Sequence, residues 1–161
     1  AGGVTATAAV TAPFQVNFQP AAAPAVPGYA VDAGRVYAPR AGGRTYGWSV
    51  YQGASAVDRN ANKNQLLDTN VGVLKGARWD LAVPNGRYRV KVGIGDAGGP
   101  STNTVRAEGA ALFSKAALPR NTFAARAVTV SVADGKLTID AGSSPGMSTR
   151  IDYLEVTPAA S

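Results

Sequence analysis

Apolar and polar residues alternate with a period of two along much of the chain. In RWDLAVPNGRYRVKVGIGD, residues 78–96, Trp79, Leu81 and Val83 alternate with Asp80 and Ala82. Beyond Pro84-Asn85-Gly86, Tyr88, Val90, Val92 and Ile94 alternate with Arg87, Arg89 and Lys91. This period marks strands with one buried face. Asn-Gly between two alternating runs is the strongest short-range signal for a hairpin. The pattern predicts a hairpin turning at Asn85-Gly86, with Val83 opposite Tyr88, Leu81 opposite Val90 and Trp79 opposite Val92 on the core face. On the wet face, Asp80 is expected opposite Lys91 as a cross-strand pair of opposite charge.

The rest of the chain repeats the theme. Phe14, Val16 and Phe18 form a short strand that Pro20 ends, and residues 21–28 are a loop broken by proline. Further short strands are expected at 71–74, 104–108, 110–113 and 150–156. A second hairpin is expected between 127–132 and 136–140, across Ala133-Asp134-Gly135. Residues 95–104, 118–123 and 141–148 read as loops. About ten short strands with turn signals at this spacing predict an all-β chain, an antiparallel β-sandwich of jelly-roll type with no significant helix. The sandwich is placed at 13–157, with 1–12 a linker or edge segment and 158–161 the start of a linker.

Residues 28–51 break the pattern. They hold Tyr29, Tyr37, Tyr46, Trp48 and Tyr51, five of the eight Tyr and Trp residues, together with Arg35, Arg40 and Arg44. Two readings are open: the rings line a ligand surface, or they pack beneath long loops as a satellite cluster. Residues 57–69 set Asp58, Asn60, Asn62 and Asn64 at alternate positions, as a calcium loop does. Lys63 stands where an EF-hand requires glycine, no glutamate closes the loop and no helices flank it. Asn-rich turn chemistry accounts for it better.

Composition narrows the chemistry. The 161 residues suit one domain with a substantial core. The absence of both cysteine and histidine excludes thiol catalysis, disulfides, Cys/His zinc sites and histidine acid–base machinery. A carboxylate pair, Asp96 with Asp58 or Asp32, is the remaining route to glycoside hydrolysis, and nothing in the spacing selects it. The net charge of +6 favours anionic partners. Its cations are scattered and form no nucleic-acid motif. No apolar run is long enough to insert into a membrane. A binding module fits best: exposed Tyr and Trp rings stack on the C–H faces of sugars, and Arg40, Arg44 or Arg59 suits bidentate grip of a carboxylate.

The segments NFQP, GYAVDAGRVYAPR, TYGWS, DRN, WDLAVPNGRYRVKVGIGD and RIDYLEV, in this order over residues 14–156, resemble the malectin-like and galactose-binding-domain-like modules of secreted bacterial polysaccharide-degrading enzymes. The resemblance implies a non-catalytic jelly roll, secreted and monomeric, that binds polysaccharide beside a catalytic domain in the same parent chain and needs no cofactor. By position, Tyr37, Tyr46 and Trp48 match the family's loop aromatics, and Asp96 matches the acid after its central strand. Related modules often hold structural calcium. Adding Arg40 and Arg59, the expected ligand-binding set is Tyr37, Arg40, Tyr46, Trp48, Arg59 and Asp96, and the net charge points to uronic-acid polymers. The alternative function is a structural or adhesive spacer in a larger surface protein. The loops carrying Tyr37 to Trp48 are expected to gather with Asp96, far from the Pro84-Asn85-Gly86 turn. The basic face of Arg87, Arg89 and Lys91 is a second candidate for anion binding.

Overall fold

The structure, a computed structural model, describes residues 13–142 and 148–160. The expected linker at 1–12 and the middle of the expected loop at 141–148 lie outside the described residues. In chain order the strands are β1 (Phe14–Phe18), β2 (Ala30–Asp32), β3 (Ala38–Pro39), β4 (Thr45–Trp48), β5 (Ala56–Asp58), β6 (Thr69–Gly72) and β7 (Arg78–Ala82). There follow β8 (Gly86–Gly95), β9 (Ser101–Ala107), β10 (Ala110–Leu118), β11 (Phe123–Val132), β12 (Lys136–Asp140) and β13 (Arg150–Pro158). A single helical turn, α1 (Gln65–Asp68), precedes β6, capped by the Asn64 side chain on the Leu66 amide. No helix among the described residues is long and apolar enough to cross a membrane.

Two sheets pack face to face. One runs β11-β8-β13-β1-β2, with β6 also on β13 and β5 on β6. The other runs β10-β9-β12-β7-β4-β3. Pairing is antiparallel except for β1 with β2. The alternation places the buried residues as expected: Trp79, Leu81, Leu137 and Ile139 from one sheet meet Val90, Val92, Ile94, Leu154 and Val156 from the other in one core.

The partners are not those expected. β7 and β8 are not a hairpin, because they lie in opposite sheets. β7 pairs with β12 (Leu81 with Leu137, Trp79 with Ile139), and β8 pairs with β11 (Val90 with Val128, Tyr88 with Val130). Leu81 and Val90 therefore contribute to the core from opposite sheets rather than side by side. Proline explains the failure. In a two-residue turn at Asn85-Gly86, Pro84 would have to donate an N–H to Arg87 and has none. A turn of the favoured hairpin type also needs positive φ at both central residues, and only Gly86 has it. The chain instead arches from one sheet to the other, with the Tyr88 hydroxyl donating to Pro84 O at 2.6 Å.

The expected second hairpin is a second such arch, since β11 and β12 also lie in opposite sheets. Asp80 accordingly does not face Lys91. It accepts from the Thr138 hydroxyl at 2.6 Å and lies 3.5 Å from Arg78, while Lys91 stands opposite Glu155. A true hairpin joins β9 and β10, where Glu108 and Gly109 both take positive φ. Several strands outrun their sequence signals: β9 starts at Ser101, β10 reaches Leu118 and β13 includes Pro158. Ala159 donates to Arg87 O and Arg87 to Ala160 O, so the chain stays bonded to the sheet there.

Candidate functional site

The two arches define one end of the sandwich, which we call the arch end. β8 runs from that end to Gly95, so Asp96 lies at the other, the loop end. Trp48 is in register with Trp79 near the start of β7, which also places it towards the loop end. β1 begins and β13 finishes at the arch end, where Phe14 pairs with Val156 and Pro158 with Tyr88. The loop end is thus turned away from both.

Tyr46 and Trp48 do not form a surface. They are 5% and 1% exposed. With Gly47 between them they share one face of β4, and that face is the core. Trp48 packs edge-on to Phe18 at 5.8 Å, and Tyr46 lies 5.2 Å from Phe14 and 5.9 Å from Trp79. Tyr37 is half-buried. Its amide donates to Trp48 O, and its ring lies 4.8 Å from Lys136 Nζ, leaning back towards the arch end.

Arg40 and Tyr46 do come together. The Arg40 guanidinium lies 5.6 Å over the Tyr46 ring and donates to Val36 O. With Val31, Asp32 and Arg35 they line a cleft of about 130 Å³. Asp32 forms its floor, accepting from Trp79 Nε1 at 2.7 Å and Gly34 N at 2.8 Å. Burial raises the Asp32 pKa in spite of these donors.

Arg59 and Asp96 form a bidentate pair, Nε to Oδ1 at 2.9 Å and Nη2 to Oδ2 at 2.8 Å. Burial works to raise the Asp96 pKa, but Arg59, the Gly98 amide and the Arg150 charge outweigh it and hold the carboxyl below its ordinary value. At 3% exposure, Asp96 fastens loops together rather than facing solvent. The Asp58–Asn64 segment is turn chemistry. Asp58, Asn62 and Asn64 each accept a backbone N–H two residues on, and Asp68 accepts from Ala61 and Asn62. Those oxygens serve the backbone.

Among the described residues, the most exposed ring is Tyr51, at 62%. It follows β4 in the turn, out of phase with the buried pair. Its phenol end lies where a β-carbon on residue 53 would be, so a larger residue at 53 would turn the ring aside. Gly34 is more tightly constrained, since a β-carbon there would overlap the Gly53 backbone amide. Gln52, itself buried, fixes the turn. Its N–H donates to Gly34 O at 2.7 Å, its Oε1 accepts from Leu74 N at 3.0 Å, and its carbonyl accepts from Ser55. Leu74 is 56% exposed next to this turn. Beyond it lies a second cleft of about 290 Å³ lined by Ser55, Gly72, Leu74 and Arg150. Tyr51 was within reach of sequence reading. Tyr46 and Trp48 stand two apart in a strand, as core residues do, and Tyr51 breaks that phase.

No protein-family model and no curated protein matches the chain. Solved structures do. Protein YxiM from Bacillus subtilis is 21% identical with a TM-score of 0.66, over 92% of this chain and 40% of that one. Bacteroides uniformis β-glucuronidase 2, covalently bound to cyclophellitol-6-carboxylate aziridine, is 12% identical with a TM-score of 0.61, over 92% of this chain and 18% of that one. A further Bacteroides uniformis β-glucuronidase structure gives 11% and 0.57 over the same shares. The chain thus spans well under half the length of these proteins and shares the fold of one segment of each.

Proposed function

We propose that this sandwich is a carbohydrate-binding module that does not itself transform its ligand. The observation that carries this reading is Tyr51, an exposed ring beside Gly53 in a turn whose backbone buried Gln52 fastens on both sides. A flat exposed ring with a polar tip is what stacking on a sugar face requires, and the fastened turn sets its position on the surface. Arg35 and Arg40 on one flank and Arg150 on the other favour acidic, uronic-acid-bearing sugars. The module works as a secreted monomer and serves a catalytic domain in the same parent chain. A segment of this fold inside a β-glucuronidase supports that setting.

Affinity electrophoresis through gels loaded with neutral or uronic polysaccharides tests the reading. Retardation by a uronic polymer that Tyr51→Ala abolishes is expected. Free migration in every gel overturns it.

One observation favours a second reading, a structural spacer: Tyr46 and Trp48 pack in the core, as such a domain requires. Under it, Tyr51→Ala changes neither binding nor stability.

A further inference from the structure

We infer that the loop end binds an internal run of an acidic polysaccharide laid across Tyr51, rather than a chain end held in a closed pocket. The inference rests on the carbohydrate-binding reading above and specifies how the ligand lies.

Three features form one track. The Asp32–Arg35–Arg40 cleft meets the Tyr51 turn at the Gly34–Gly53 contact, where the two backbones are too close for any side chain between them. On the other flank, the same turn reaches the second cleft through two hydrogen bonds, Leu74 N to Gln52 Oε1 at 3.0 Å and the Ser55 hydroxyl to Gly72 O at 2.7 Å. Gln52 thus ties the edges of both clefts to the turn that carries the ring. The turn that carries the ring stands between two clefts, so a sugar stacked on Tyr51 has a cleft to either side of that turn. A chain end would leave one cleft empty.

Charge follows the same geometry. Arg35 is exposed and forms no ion pair among the described residues, and Arg40 bonds a carbonyl. Arg150 lines the far cleft at 3.8 Å from Asp96. Two of the acids at this end are committed inward: Asp32 to Trp79 and Gly34, Asp96 to Arg59. Each flank therefore offers a cation and no outward-facing carboxylate from these two acids. This suits a ligand whose negative charges recur along its length. Leu74, exposed and lining the same cleft as Arg150, supplies apolar contact for a second sugar face.

Titration calorimetry with galacturonic and mannuronic oligomers, from monomer to hexamer, and with the polymers before and after reduction of their chain ends tests the inference. Affinity is expected to rise about tenfold or more from monomer to trimer or tetramer. It should be indifferent to end reduction and fall with salt. Arg35→Ala, at an exposed position used in the fold through its backbone, should weaken the tetramer about fivefold and the monomer by less. Arg150→Lys should likewise weaken the longer oligomers more than the monomer. A monomer that binds as tightly as the tetramer, or binding lost on end reduction, overturns the internal-run inference while leaving carbohydrate binding intact. Preference for neutral oligomers of equal length overturns it as well. No binding to any polymer overturns both readings.

Discussion

Asn85 Oδ1 accepts the Gly135 amide at 2.8 Å, and Val83 N donates to Gly135 O at 3.0 Å. These bonds join two turns that are 50 residues apart in sequence, each carrying the chain from one sheet to the other. β7–β12 and β8–β11 are thus two paired ribbons folded over the core as a unit, and the Asn85–Gly135 contact closes the fold line. Removing the side chain in Asn85→Ala should cost about 1 kcal/mol, the net worth of one such hydrogen bond. That corresponds to a fall of a few degrees in Tm. Asn85→Asp keeps the acceptor and should cost less. Thermal unfolding of the two variants measures the difference; an Asn85→Ala protein as stable as the parent would mean that the strands alone hold the arches.

The same turn shows how far the sequence could be read. Alternation told correctly which residues of β7, β8, β11 and β12 face the core, because each strand has one buried face whatever its partner. It is silent on whether consecutive strands sit side by side or across the core, since a hairpin and an arch leave the same pattern. Pro84 was the one local clue, through its missing N–H. At the site, the arginines at 35 and 40 lay in the stretch that stood out. Trp48, Tyr46 and Asp96 are assigned to the binding surface by their positions in the family resemblance, whereas their burial is set by strand phase and by a salt bridge to a distant loop. The length of β9 and β10 was hidden because alanine and serine carry little alternation.

Trp48 should behave as a core residue. It is enclosed by Phe18 and lies in register with Trp79, and Trp48→Ala leaves a large void. The expected loss is about 3–5 kcal/mol, read by urea unfolding. Any binding lost should return in proportion to the folded fraction when the assay is run at low temperature. Tyr51→Ala should do the opposite and leave stability within about 0.5 kcal/mol, as exposed substitutions do.

The Arg59–Asp96 pair gives stability an acid limb. The Asp96 pKa is lower in the folded chain than in the unfolded one. Its contribution is therefore fully present above the ordinary aspartate pKa and lost as pH falls through the folded value. Arg59→Ala should cost about 1–3 kcal/mol at neutral pH, because a buried carboxylate loses its principal partner. It should also flatten the dependence between about pH 5 and pH 2. Denaturant midpoints across that range decide the matter, and a slope equal to the parent's would assign the acid limb to other groups such as Asp68, whose pKa is also lowered by backbone donors against the effect of burial.

Asp152 acts in the opposite sense. It is the extra residue of a bulge in β13, between Ile151 opposite Ile94 and Tyr153 opposite Gly93. It is fully buried, and neither carboxylate oxygen finds a hydrogen-bond partner among the described residues; nor does Nδ2 of Asn70, one residue before the Val71 that pairs with Ile151. Burial, and then the charge of Asp96, push its pKa well above the ordinary value. A raised folded pKa gives a contribution that is whole below the unfolded pKa and lost as pH rises through the folded one. The parent should therefore weaken from mildly acidic to alkaline pH. Asp152→Asn has the same shape and cannot ionise. It should be more stable than the parent at pH 8, by about 1.4 kcal/mol for each pH unit over which the folded carboxyl stays protonated above its unfolded pKa, with the gain shrinking towards pH 4. Guanidinium unfolding at pH 4, 6 and 8 measures this, and a gain that does not change with pH would show that Asp152 is not the group that titrates.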